Sequence, residues 1–187
     1  MTADIPTRLD FKDRKADSAA FVSRIVSLCE RYPGARSALR SGLGRTPQDF
    51  ASAPMHRYIF QAVRRPLEPR HLEHSLHTIA SLIALRPDTA IPRLSPGNLG
   101  ATFAHAANTG AFATNTMDKS VQRLARQTSD TICAHIANVV APLRGSDVPV
   151  DFALLLRDLI NWPYDQRDVG TRWQQTFFLR LDHDPDL

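Results

Sequence analysis

The stretch VDFALLLRDLINWPYDQRDVGTRWQQTFFLRL, Val150–Leu181, decides how this chain folds. Phe152, Leu155, Leu156, Leu159 and Ile160 fall at i, i+3, i+4, i+7 and i+8, the stripe of a helix that faces a core. Trp162-Pro163 predicts a break, because proline has no N–H to give the turn before it. Val169, Trp173, Phe177 and Leu181 then resume helical spacing as a closing helix. Nothing in the segment resembles chemistry: no nucleophile beside a base, no phosphate loop, no ladder of metal ligands. Arg157 stands off the apolar stripe, near Leu154 and Asn161. Helix packing with arginine on the outside points to a module that holds a charged polymer or a partner rather than to an enzyme.

The rest of the chain keeps the same period. Phe21, Ile25 and Leu28 mark a helix that ends at Tyr32-Pro33-Gly34, and a short helix over Ala35–Ser41 leads to the Gly42-Leu43-Gly44 break. Thr46-Pro47-Gln48-Asp49 reads as an N-cap, a proline at the first helical position and a first-turn acid. The segment Met55–Arg65 is apolar over a wide arc and is expected to be central. Pro69 opens a helix striped by Leu72, Leu76, Ile79, Ala80 and Ile83. Arg86–Asn98 carries three prolines and is the expected hinge. Helices follow at about Leu99–Asn108, Met117–Gln127 and Asp130–Leu143. No segment alternates with period two. The expectation is an all-α chain of about nine helices in two packed helical-bundle lobes: a flexible lead-in over 1–19, an N-terminal lobe over 20–94 and a C-terminal lobe over 95–187.

Composition narrows the function classes. Of 187 residues, 43% are hydrophobic and 22% charged, as in a globular domain. No apolar run has transmembrane length, and the first twenty residues lack the apolar core of a signal peptide, so a cytoplasmic protein without membrane contact is expected. Cys29 and Cys133 sit among apolar residues and read as buried free thiols. His71, His74 and His77 fall at i, i+3, i+6 on the face opposite the leucine stripe; they are read as a solvated polar face, with neither a metal site nor a cofactor expected. Trp162 and Trp173, on or beside apolar stripes, read as core. No Gly-x-Ser-x-Gly turn and no phosphate loop is present.

Charge is the informative remainder. The formal net charge is +4, and 20 of the 23 basic residues are arginine, the better fork for phosphate. Residues 1–94 hold 15 basic and 9 acidic residues, against 8 and 10 in residues 95–187. Arg36, Arg40 and Arg45 cluster around the second helix; Arg57, Arg64 and Arg65 follow on the next, and Arg123, Arg126, Arg144 and Arg157 lie further on. Together they form a candidate polyanion surface of sequence-independent affinity. The competing reading, a helical DNA-binding transcription regulator, needs a helix-turn-helix, for which the Gly42–Pro47 turn is a poor candidate.

From Asp118 to Phe178 the order of features resembles the CasB family, the small subunit of the type I-E CRISPR effector complex Cascade. A helix with Arg123 and Arg126 precedes a long helix ending Pro142-Leu143-Arg144. Val148-Pro149-Val150-Asp151-Phe152 then enters a helix through Leu156-Arg157-Asp158-Leu159-Ile160-Asn161-Trp162, and Arg172-Trp173 through Phe177-Phe178 closes the pattern. Leu39-Arg40-Ser41, and Leu99-Gly100 leading to Ala106-Ala107-Asn108, match more weakly. Residues 101–117, which hold no arginine or lysine, depart from it. The resemblance implies a non-catalytic, all-helical subunit of an antiviral surveillance complex. Its partners would be other Cascade subunits, a second copy of itself placed head-to-tail, guide RNA and target DNA, and it would steady the displaced strand of the R-loop. Carried over residue by residue, it marks Arg40 and Arg157 first, then Arg36, Arg123 and Arg126. Arg45, Arg57, Arg64 and Arg65 rest on the charge map alone.

Overall fold

A computed structural model describes residues 8–64, 70–90 and 97–182. Among these residues the chain is all-helical, with eight α-helices around one continuous apolar core that runs from Leu9 to Phe177. No helix among them is long and apolar enough to cross a membrane.

Helix α1 (Arg14–Arg31) begins where Asp13 accepts hydrogen bonds from the Lys15 and Ala16 amides, and it buries Ser18, Phe21, Val22, Ile25, Val26 and Cys29. Residues 8–19, expected to be a loose lead-in, are therefore folded. Leu9 and Phe11 are buried ahead of the cap, and Leu9 pairs with Val63 in an isolated parallel bridge through Leu9 N to Ala62 O at 3.1 Å and Arg64 N to Leu9 O at 2.7 Å. Two buried apolar side chains, the backbone bridge to Val63 and the capping aspartate hold the segment in place.

Tyr32 ends α1, and Pro33 opens α2 (Pro33–Arg40), which buries Ala35 and Leu39. The expected helix start at Pro47 is displaced. Asp49 caps a short 3-10 turn at Phe50–Ser52 instead, and α3 (Ala53–Ala62) begins only after it. The Gly42–Pro47 turn thus leads to no recognition helix. Helix α4 (Arg70–Leu85) buries Leu72 and every residue from Ser75 to Ala84. It, rather than α3, is the central helix. A second 3-10 turn (Pro87–Thr89) follows, and the rest of the expected hinge, residues 91–96, lies outside the described residues.

Helices α5 (Leu99–Asn108), α6 (Thr114–Ala125) and α7 (Ile132–Gly145) lead to α8 (Phe152–Arg180). The break expected at Trp162-Pro163 is a bend: α8 continues through it, with non-helical dihedrals only at Asp165 (φ −128°, ψ 26°). That merger accounts for eight helices where about nine were expected. Pro163 removes the N–H that would bond Leu159 O, and His71 from α4 fills the vacancy with Nε2 2.7 Å from that oxygen. Helix α8 packs on α1, α4, α5 and α6, so the helices of both expected lobes share its core. At the α5 crossing the backbones nearly touch; a Cβ on Gly100 would lie 1.9 Å from Trp173 O.

Candidate nucleic-acid interface

The arginines separate by what their guanidinium groups already hold. Arg40 at the end of α2, and Arg123 and Arg126 at the end of α6, are exposed and have no side-chain partner among the described residues. Arg64 is likewise exposed, and Arg57 lies over the Tyr58 ring, 5.0 Å from its centroid. These five keep their donors available. Arg65 lies outside the described residues.

Others expected at the surface are engaged. Arg36 donates from Nε to Ala84 O at 3.0 Å and from Nη2 to Leu85 O at 2.9 Å, closing carbonyls that the end of α4 leaves unpaired. It still lines, with Pro33, Ser37 and Arg40, a shallow depression of about 290 Å³. Arg45 pairs with Asp49 at 3.3 Å. Arg144 is buried under the loop after α4, donating to Thr89 O at 3.3 Å and to Arg86 O, with its guanidinium 5.0 Å from the Phe152 ring centroid. Burial above all, with Arg86 adding repulsion, lowers its pKa to about 10. It is a packing element of the α7–α8 corner, not a phosphate contact.

Arg157 projects half-buried from α8 into a groove against α1, about 260 Å³ in volume, lined by Lys15, Ala19, Asp151, Ala153, Leu154 and Arg157. Further along the same pair of helices Arg14 donates to Asn161 and lies over Tyr164, 5.4 Å from the ring centroid. Lys15 and Arg14 are basic residues that the sequence reading missed. The available signal was Asp13, a cap residue placed at the start of the apolar spacing that ends at Cys29. The structure brings Arg157 together with Lys15, and Arg40 with Arg36, while Arg123 and Arg126 lie at the end of α6 and line neither depression.

Neither tryptophan is available to stack on bases. Their ring centroids are 5.0 Å apart in the core. Trp162 Nε1 donates to Gln127 O at 2.9 Å, and Trp173 Nε1 donates to Asp158 Oδ2 at 2.7 Å. Asp158 is buried, and desolvation raises its pKa above the usual carboxylate range against the opposing pull of Trp173 and Arg172.

The α4 histidines correct the expectation of a solvated face. His77 is fully buried, His74 is half-buried with its pKa lowered chiefly by desolvation, and His71 reaches Ser129 O through Nδ1 at 2.9 Å as well as Leu159 O. A helix in the middle of a bundle has neighbours on every side, so the face opposite its leucine stripe is covered too.

Known proteins share the fold. The chain is similar to a component of a CRISPR RNA-guided surveillance complex at 28% identity, with a TM-score of 0.75 over 90% of this chain and 95% of that one. A component of a pre-nicking CRISPR RNA-guided surveillance complex matches at 28% identity and a TM-score of 0.78, covering 89% and 94%. A Cse2-family protein from Thermus thermophilus, at 21% identity and a TM-score of 0.69 over 86% and 97%, shares the fold. No protein of curated function matches in sequence. The sequence profile of the CRISPR-associated protein Cse2 spans residues 35–178, from α2 to the last turn of α8. The chain belongs to the Cse2 family.

Proposed function

We propose that this protein is a non-catalytic subunit of a type I-E CRISPR surveillance complex, Cascade. It packs against other subunits and a second copy of itself, and grips the sugar-phosphate backbones of guide RNA, target DNA and the displaced strand. The observation that carries the reading is the fold shared over nine tenths of the chain with components of RNA-guided surveillance complexes. The arginines support it: Arg40, Arg123 and Arg126 are open, and Arg157 lines the α1–α8 groove with Lys15. Guanidinium groups presented from helices, with no base-reading motif, fit contacts to phosphate, while guide pairing supplies sequence. Since strand exchange in an R-loop is nearly balanced in energy, a few backbone contacts to the displaced strand can tip it.

The test is assembly. Expressed with the guide RNA and the remaining subunits of a type I-E complex, the chain is expected to co-purify with them in two copies and to lengthen the lifetime of the complex on target DNA. A chain that stays out of the complex, or joins it without changing that lifetime, contradicts the reading.

A further inference from the structure

Three side chains that play no part in the arginine surface meet between α3 and α4. His56, Glu73 and His77 each bring one ligand atom within 4.8 Å of the others, the one group of its kind among the described residues. Glu73 and His77 are four residues apart on α4, so they stack on one face, and His56 approaches from α3. Hydrogen bonds set both tautomers. His77 Nδ1 lies 2.9 Å from Glu73 O; a carbonyl can only accept, so the proton sits on Nδ1 and the lone pair on Nε2. That Nε2 is buried with no hydrogen-bond partner. His56 Nε2 donates to Pro47 O at 2.9 Å, which leaves the lone pair on Nδ1. An imidazole tied by one nitrogen to a backbone carbonyl, with the other bare, is the arrangement that orients metal-binding histidines. The two rings stand perpendicular with centroids 5.2 Å apart.

We propose that His77 Nε2, the Glu73 carboxylate and a ring nitrogen of His56 form a binding site for a divalent transition metal of the zinc class, with a fourth position open to water. Two imidazoles and a carboxylate are a donor set that zinc accepts, and bonds of about 2.0–2.1 Å place tetrahedral ligand atoms about 3.4 Å apart. The present spacing, within 4.8 Å, must contract through rotation of the three side chains for the ion to be held. The ion would lock α3, which carries Arg57, onto the central helix.

The site is tested on tag-free, full-length protein stripped with EDTA and titrated with ZnCl2 by calorimetry and thermal melting. The expected result is one Zn2+ per chain with a higher Tm, and binding weakened about tenfold or more in Glu73→Gln. His105→Ala, distant in sequence and exposed, should leave it unchanged. Indistinguishable binding by wild type and Glu73→Gln, or no saturable binding, overturns the site. CoCl2 gives a readout that needs no variant: a strong visible band of a four-coordinate ion supports the site, and only the weak band of the hydrated ion overturns it.

Discussion

Asp158 shows how one residue sets a pH response. Its carboxylate lies in the core between Trp173, which donates to it at 2.7 Å, and Arg172 at 3.9 Å. Desolvation outweighs both, so the native carboxyl holds its proton to higher pH than the unfolded one. As pH rises from the ordinary aspartate value of about 3.9 to the raised native value, the unfolded chain releases its proton first and stability falls. Asp158→Asn keeps an acceptor for Trp173 and has no proton to release. Its Tm relative to wild type is expected to climb as pH rises above the ordinary aspartate value of about 3.9, measured by thermal melts across a pH series. A difference that stays flat or shrinks contradicts the assignment.

At the scale of elements, a proline in one helix is matched by a histidine in another. Pro163 orphans Leu159 O, and His71 from α4 occupies it. His71→Ala should therefore cost about 1–3 kcal/mol in denaturant unfolding. In a Pro163→Ala background, where the helix supplies its own N–H, the same change should cost less. Equal costs in the two backgrounds would mean that His71 stabilises through other contacts. The α5–α8 crossing has no such slack. A Cβ added at Gly100 would sit 1.9 Å from Trp173 O, so Gly100→Ala is expected to lose about 3 kcal/mol or more, or to prevent folding. Wild-type stability in that variant would show that the helices can separate without penalty.

These two places also mark what sequence can and cannot say. The stripe from Phe152 to Ile160 identifies the core face of α8, and α5 falls at Leu99–Asn108 as its spacing predicts. Helical periodicity survives because local hydrogen bonding and one-sided burial obey the same repeat. The bend at Pro163 reads as a break because a donor four helices earlier in the chain compensates the proline, a relation no local window contains. The same limit hides His77, whose face looks polar along α4 and is covered only once α3 packs on it. Arg36 and Arg144 read as surface charge for the same reason; their carbonyl partners lie 48 or more residues away in sequence.

For the molecule as a whole, the arginine surface is smaller than charge counting implies. Arg144 is spent within the fold, and Arg36 and Arg45 are each engaged by a partner of their own chain, while Arg40, Arg57, Arg64, Arg123 and Arg126 remain presented and Arg157 gains Lys15 as a neighbour. Binding that rests on phosphate contact must depend on salt, because each neutralised phosphate releases counterions. The most direct measurement is the salt dependence of target-DNA affinity for the assembled surveillance complex, carrying either wild-type protein or the Arg40→Glu, Arg157→Glu double variant. With circular dichroism unchanged, the variant is predicted to bind more weakly and to show a log K against log[salt] slope shallower by about 2. Coincident slopes and affinities would contradict the claim that these helices hold nucleic-acid backbone.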